Sequence, residues 1–128
     1  MEGPFHSIKD FHDHLLAAAT RQKPGPELIT GPYLYRESFS DTCAIYFTHG
    51  DLSLGNILIS GDPGSRRISS VVDWEQSGWY PEYWEYCKVQ YAVDYEHEIR
   101  TDGWAEKILG EFEEEARAFG EYCIWRNP

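Results

Sequence analysis

With 128 residues, 41% of them hydrophobic and 16% aromatic, the chain has enough apolar surface for one folded domain and too much for wholesale disorder. Its formal net charge of −11 argues against nucleic acid as a partner, because phosphate backbones require a basic face. Cys43, Cys87 and Cys123 form no C-x-x-C pair and read as reduced thiols; with neither a secretory leader nor an apolar run of membrane-spanning length, a cytoplasmic protein without a membrane partner is expected.

In chain order, Ser7 is placed to cap a helix whose apolar residues Ile8, Phe11, Leu15, Leu16 and Ala19 recur at helical spacing. It should end near Gln22, since Pro24-Gly25-Pro26 cannot continue it. His12 and His14 point to different faces of that helix and read as solvated. Residues 27–40 are irregular, and Tyr33 to Glu37 fit either a turn of helix or an extended segment. Ser40-Asp41 gives a turn, and the β-branched and aromatic run from Cys43 to Thr48 reads as a strand. His49 to Gly55 is a loop. Ile57 to Ser60 and Ile68 to Val72 then form a hairpin closed by the Gly- and Pro-containing segment after Ser60.

Residues 77–81 punctuate the chain before a second amphipathic helix carrying Trp84, Cys87, Tyr91, Tyr95 and Ile99. Glu82 and Glu85 fall in its first turn, where negative charge suits the helix dipole. A third helix starts at Thr101 or Asp102, with Trp104, Ile108, Phe112, Ala116, Phe119 and Cys123 as its apolar stripe. Glu111 and Glu113 to Glu115 form its wet face, Gly110 and Gly120 weaken it, and Gly120 is the candidate break. The expected fold class is α+β, a β-hairpin among three main helices in a single domain over residues 1–128.

The chemistry concentrates between Ile45 and Glu75. A register that sets Ile57 against Val72 makes Asn56 and Asp73 neighbours at the open end of the hairpin. Asp51, on the preceding loop, can face the same spot. Two carboxylates and a carboxamide suit a hard cation such as Mg²⁺ whose shell is completed by phosphates and water. A carboxylate not held by the metal can accept a proton from a hydroxyl. The bland readings make Asp51 a turn cap, Asn56 a loop amide and Asp73 a strand-end turn residue. Each is reasonable alone, but not all three in this order.

These residues carry a resemblance. His49-Gly50-Asp51-Leu52-x-x-x-Asn56 followed by Val72-Asp73-Trp74-Glu75 resembles the aminoglycoside phosphotransferase and choline kinase family of the protein-kinase-like fold, where H-G-D-x-x-x-x-N stands in place of the kinase catalytic loop. The resemblance implies that Asp51 is the catalytic aspartate, Asn56 and Asp73 the Mg²⁺ ligands, and His49 the structural support of the loop. Gly78 to Lys88, GWYPEYWEYCK, also resembles fungal members of the family.

The activity that the resemblance implies is an ATP- and Mg²⁺-dependent transfer of a phosphoryl group to a hydroxyl of a small-molecule acceptor. In the family the C-terminal helices build the acceptor pocket, which makes Trp79, Tyr80, Tyr83 and Trp84 candidate substrate-binding residues. Their rings would suit a cationic acceptor, and core packing explains them at least as well. No G-x-G-x-x-G run is present, and Lys9, Lys23 and Lys88, the lysines before residue 101, sit in no strand like the one that grips nucleotide phosphates. The match therefore implies a partial kinase-like C-lobe without its nucleotide-binding N-lobe, which would come from an upstream segment or an N-lobe-bearing partner. An alternative is a non-catalytic remnant or binding module, or a truncated gene model.

Overall fold

In a computed structural model of the chain, residues 3–20, 35–92, 97 and 101–126 are described. They comprise α1 (Ile8–Thr20), a 3₁₀ turn (Arg36–Ser38), β1 (Ile45–Thr48), a second 3₁₀ turn (Leu54–Asn56), β2 (Ile57–Ser60), β3 (Arg67–Val71), β4 (Gly78–Pro81), α2 (Trp84–Ala92), α3 (Trp104–Leu109) and α4 (Glu113–Arg126). Helices and small antiparallel sheets together make an α+β arrangement. The chain divides into two compact units, one drawn from residues 1–44 and 112–128, the other from residues 45–111.

In the first unit, α1 begins as its sequence dictates: the Ser7 hydroxyl accepts the Asp10 backbone N–H at 3.1 Å, a side-chain N-cap. Gln22, the Pro24-Gly25-Pro26 break and Tyr33 lie outside the described residues. Helix α1 packs on α4, and Phe11, Ala19, Phe39, Ala118, Phe119 and Tyr122 are buried. His12, expected in solvent, is instead fully buried. Its ring stacks on Phe39 at 5.1 Å, and Nδ1 lies 2.8 Å from an Asp41 carboxylate oxygen. The guanidinium of Arg36 links Asp41 and Asp13 at 3.0 Å each. This polar network supplies the partners that let a histidine leave water.

In the second unit, β2 and β3 form the expected hairpin, but its register is different. Ile57 pairs with Val71 and Leu58 with Ser70, then a bulge shifts Ile59 onto Ile68. The extra residue, Ser69, donates its hydroxyl to the Leu58 carbonyl at 3.1 Å, which occupies the position a regular ladder would use. Leu58, Ile59 and Ile68 are exposed, so these side chains do not form the core expected of a hairpin packed among helices. A further strand is one that local patterning does not signal: β4 pairs antiparallel with β1, setting Tyr46 against Tyr80 and Phe47 against Trp79. Pro81 is tolerated because it closes the strand's end.

Over its described residues helix α2 is less amphipathic than expected; Tyr95 and Ile99 of the expected stripe lie outside the described residues. From Tyr83 to Cys87 every residue is buried, and Val89 with them, whereas Tyr91 is exposed. Its neighbour α3 contributes Ala105 to the core and leaves Trp104 and Ile108 outside, contrary to the expected stripe. The expected third helix is two helices, and the break falls at Gly110, not Gly120. Gly110 has φ +92°, and it follows Leu109 as the cap of α3. Helix α4 runs through Gly120, where an added Cβ would meet nothing within 4 Å. Gly120→Ala should therefore stabilise the protein by about 0.5–1 kcal/mol, through lower unfolded-state entropy and higher helix propensity. A raised urea midpoint would show it; an unchanged or lowered one would mean that α4 does not hold a regular helix there.

The three cysteines are free thiols, Cys87 buried and the others half-buried. Among the described residues no helix is long and apolar enough to cross a membrane.

Candidate functional site

The site lies in the second unit, on the loop between β1 and the 3₁₀ turn and at the end of β3. Thr48 and His49, buried at the end of β1, deliver the chain into the loop. Gly50 then has φ +84°, and a Cβ on it would fall 3.0 Å from the Gln76 carbonyl carbon and closer still to its oxygen. Only glycine fits a left-handed residue pressed against a backbone carbonyl. The glycine in H-G-D is thus a steric requirement.

Asn56 sits at the end of the 3₁₀ turn, its N–H donating to Ser53 O at 3.0 Å. Its carboxamide nitrogen donates to the Asp51 backbone oxygen at 2.8 Å and lies 3.4 Å from the Asp51 carboxylate. The segment from Asp51 to Asn56 therefore closes on itself and sets the two side chains beside each other. With the nitrogen committed, the amide oxygen Oδ1 is the end left to accept a cation or a donor.

Asp73 enters by a different route from the one expected. In the observed register Asn56 stands opposite Val72, whose N–H donates to the Asn56 carbonyl at 2.8 Å. The open end of the ladder is thus offset by one residue from the expected pairing, and Asp73 follows one residue beyond Val72. Its φ of +63° is the one positive value at a non-glycine position among the described residues. Aspartate tolerates that conformation better than most residues, and such outliers concentrate where function demands a particular direction of the chain. The Asp73 side chain is exposed, and among the described residues its carboxylate has no hydrogen-bond or ion-pair partner.

His49 joins the two halves. Its Nδ1 accepts the Asp51 N–H at 3.2 Å, so Nε2 carries the proton and donates to the Val72 carbonyl at 2.7 Å. One imidazole thus ties the residue bearing the first carboxylate to the residue preceding the second. Trp74 packs edge-to-face with this ring, centroids 4.6 Å apart, and donates its indole N–H to the Val71 carbonyl at 2.6 Å.

Glu85, expected as a dipole-compensating acid in the first turn of α2, has a different role. It is buried, and its carboxylate accepts the N–H groups of His49 at 2.6 Å and Gly50 at 3.1 Å. The available signal is an acid inside the aromatic run YWEYC, which no solvent-facing stripe accounts for. Of the four candidate substrate-binding rings, Trp79 is 72% exposed, Tyr80 is half-buried and stacks on Trp84 at 5.1 Å, and Tyr83 and Trp84 are buried.

The donor set is compatible with a hard cation. Asn56 Oδ1 and the Asp73 carboxylate are oxygen donors uncommitted to other described groups, and a site of so few protein ligands is one that phosphates and water complete. Among the described residues no group of three or more His, Cys, Asp or Glu side chains is arranged to hold a metal, which sets the pair apart from an all-protein cage.

A family model described as the phosphotransferase enzyme family, APH, matches residues 5–120 of the chain. No curated protein and no solved structure matches it.

Proposed function

Since the chain belongs to the phosphotransferase enzyme family, we propose that its second unit carries the catalytic-loop half of an ATP- and Mg²⁺-dependent small-molecule kinase. Asp51 orients the acceptor hydroxyl and accepts its proton on a carboxylate oxygen as the hydroxyl oxygen bonds to the γ-phosphorus of ATP and the bond from that phosphorus to the β,γ-bridging oxygen breaks, releasing ADP. Asn56 Oδ1 and Asp73 hold Mg²⁺, with His49 as the brace between them. When bound, the ion supplies neutralisation of the charge carried by the nucleotide phosphates. The observation that supports this most is the His49 bridge, because it couples the backbone of Asp51 to that of Val72 beside Asp73. A turn cap and a strand-end residue have no need of such a tie.

The sequence run from Gly78 to Lys88 supports placement in the fungal branch, and the order of motifs supports the C-terminal lobe of the kinase-like domain. The nucleotide clamp then comes from an upstream segment or an N-lobe-bearing partner. The acceptor is a hydroxyl-bearing small molecule. Trp79 offers it an accessible ring face; Tyr80, the next residue of β4 and so on the opposite face, stacks on the buried Trp84, and Tyr83 is buried.

Calorimetric titration of Mg²⁺-ATP into the purified chain tests the metal assignment. Binding heat is expected, and Asp73→Ala should weaken the affinity by about tenfold or more, since even outer-shell partners of metal sites are worth that much. No heat with the wild-type chain, or equal affinity in the variant, would remove Asp73 from the site.

The lack of a Gly-rich loop and a strand lysine within these residues favours a second reading, a binding module that holds nucleotide without turning it over. Positioning and charge stabilisation are nearly all of phosphoryl-transfer catalysis, so residues 1–128 alone should turn over poorly. An in-frame Gly-rich loop and lysine strand in the coding sequence upstream of Met1 would favour the kinase.

A further inference from the structure

We propose that Ser69 is a phosphorylation site for a protein kinase that selects arginines ahead of its target serine. Another enzyme makes this modification, so it is independent of the Asp51, Asn56 and Asp73 site. Arg66 and Arg67 are the only adjacent basic residues in a sequence of net charge −11. Both are exposed, and among the described residues neither guanidinium has a hydrogen-bond or ion-pair partner. Each is a rigid fork of donors free to meet the carboxylates of a visiting protein. Ser69 follows Arg66 by three residues and Arg67 by two, and charge patterns of this kind are what kinases read in their substrates.

The hairpin presents that serine well. A kinase grips an extended segment and needs the target hydroxyl clear of its neighbours. Strand β3 is already extended and pairs only with β2, which leaves its outer edge open among the described residues. Ser70 pairs with Leu58 and Ile68 with Ile59, so Ser69 is the residue that the bulge leaves out of the ladder. One hydrogen bond, to the Leu58 carbonyl, holds its exposed hydroxyl. A two-stranded hairpin that exposes Leu58, Ile59 and Ile68 also opens locally at small cost. The other nearby hydroxyls are placed less well. Ser65 precedes both arginines, and Ser70 is paired in the ladder and one residue further from each arginine.

In the transfer, Ser69 Oγ gives its proton to the base of the kinase and bonds to the γ-phosphorus of ATP. The bond from that phosphorus to the β,γ-bridging oxygen breaks, releasing ADP. The modified Oγ has no hydrogen to donate to Leu58, and a charge of about −2 then offsets the two guanidiniums.

The test incubates the folded chain and Mg²⁺-ATP with the catalytic subunit of cyclic-AMP-dependent protein kinase, which reads arginines at these two spacings. Fragmentation mass spectrometry should place one phosphate, on Ser69. Ser70→Ala should leave the rate unchanged, and Ser69→Ala should abolish the labelling. Arg66→Gln and Arg67→Gln should each lower kcat/KM by about tenfold, the worth of one charge-assisted hydrogen bond. No phosphate on the wild type, or phosphate on Ser65 or Ser70 instead, overturns the inference whether or not any variant folds. So does labelling of Ser69 that appears only once the chain is unfolded in urea, or arginine variants that react as fast as the wild type.

Discussion

Gly50→Ala is expected to destabilise the protein by about 3 kcal/mol or more, at the upper end of single substitutions. Two costs combine. A non-glycine residue at φ +84° carries a backbone strain of about 1–2 kcal/mol. The methyl group must also displace the Gln76 backbone carbonyl, which a side chain swinging aside cannot relieve. Gly64 separates the two costs: its φ is +95°, yet an added Cβ there meets nothing within 4 Å. Gly64→Ala should cost only the strain. Urea denaturation of the two variants checks the difference, and equal losses would show that the approach of residue 50 to Gln76 is not closely packed.

The functional consequence is larger than the stability figure conveys. Gly50 shares the Glu85 carboxylate with His49, and His49 holds both Asp51 and Val72. A loop forced away from Gln76 loses these bonds together, because they depend on one backbone path. A Gly50→Ala protein that still folds should therefore lose Mg²⁺-ATP binding, which a surface loop of the same length would not.

How much of this is legible in the sequence depends on the range of the forces involved. Helix α1 is readable because its cap, Ser7, and its apolar spacing are local. The closure of Asn56 onto Asp51 is readable from a short spacing within one loop. The strand β4 is not, since Gly78 and Pro81 signal a turn locally and only pairing with β1, far earlier in the chain, makes them a strand. The hairpin register is one residue off the expected one beside Asn56 and two off beyond Ser69; with Leu58, Ile59 and Ile68 exposed, no buried face fixes the register, and alternation cannot report a bulge. Gly110 and Gly120 look alike in sequence; burial of Ala118, Phe119 and Tyr122 around the second keeps α4 helical through it, while the first adopts a conformation that no helix continues. Glu85 and His12 escape a sequence reading for one shared reason. Each is a polar residue in a helix whose partners are supplied from far along the chain, and helical spacing alone assigns such residues to solvent.

His12 carries the second large expectation. Burial lowers its pKa below the ordinary 6.5; the Asp41 hydrogen bond opposes this, and the nearby Arg36 charge adds to the lowering. The unfolded chain therefore binds a proton that the folded chain refuses. Stability is full above about pH 6.5 and falls as the pH drops through the interval below it, by at most about 1.4 kcal/mol per pH unit for this one group. Asp41, held low chiefly by its bond to His12, and Asp13, held low chiefly by Lys9, extend the acid sensitivity in the same direction below their ordinary 3.8. Denaturation midpoints from about pH 7.5 down to about pH 2.5 should decline in this order. His12→Ala should cost about 3 kcal/mol at neutral pH, from the lost ring and the cavity beside Phe39, and should flatten the decline between pH 6.5 and 5. If the variant keeps the wild-type slope there, another group is taking up the proton, and the His12–Asp41–Arg36 network is not what makes the first unit sensitive to acid.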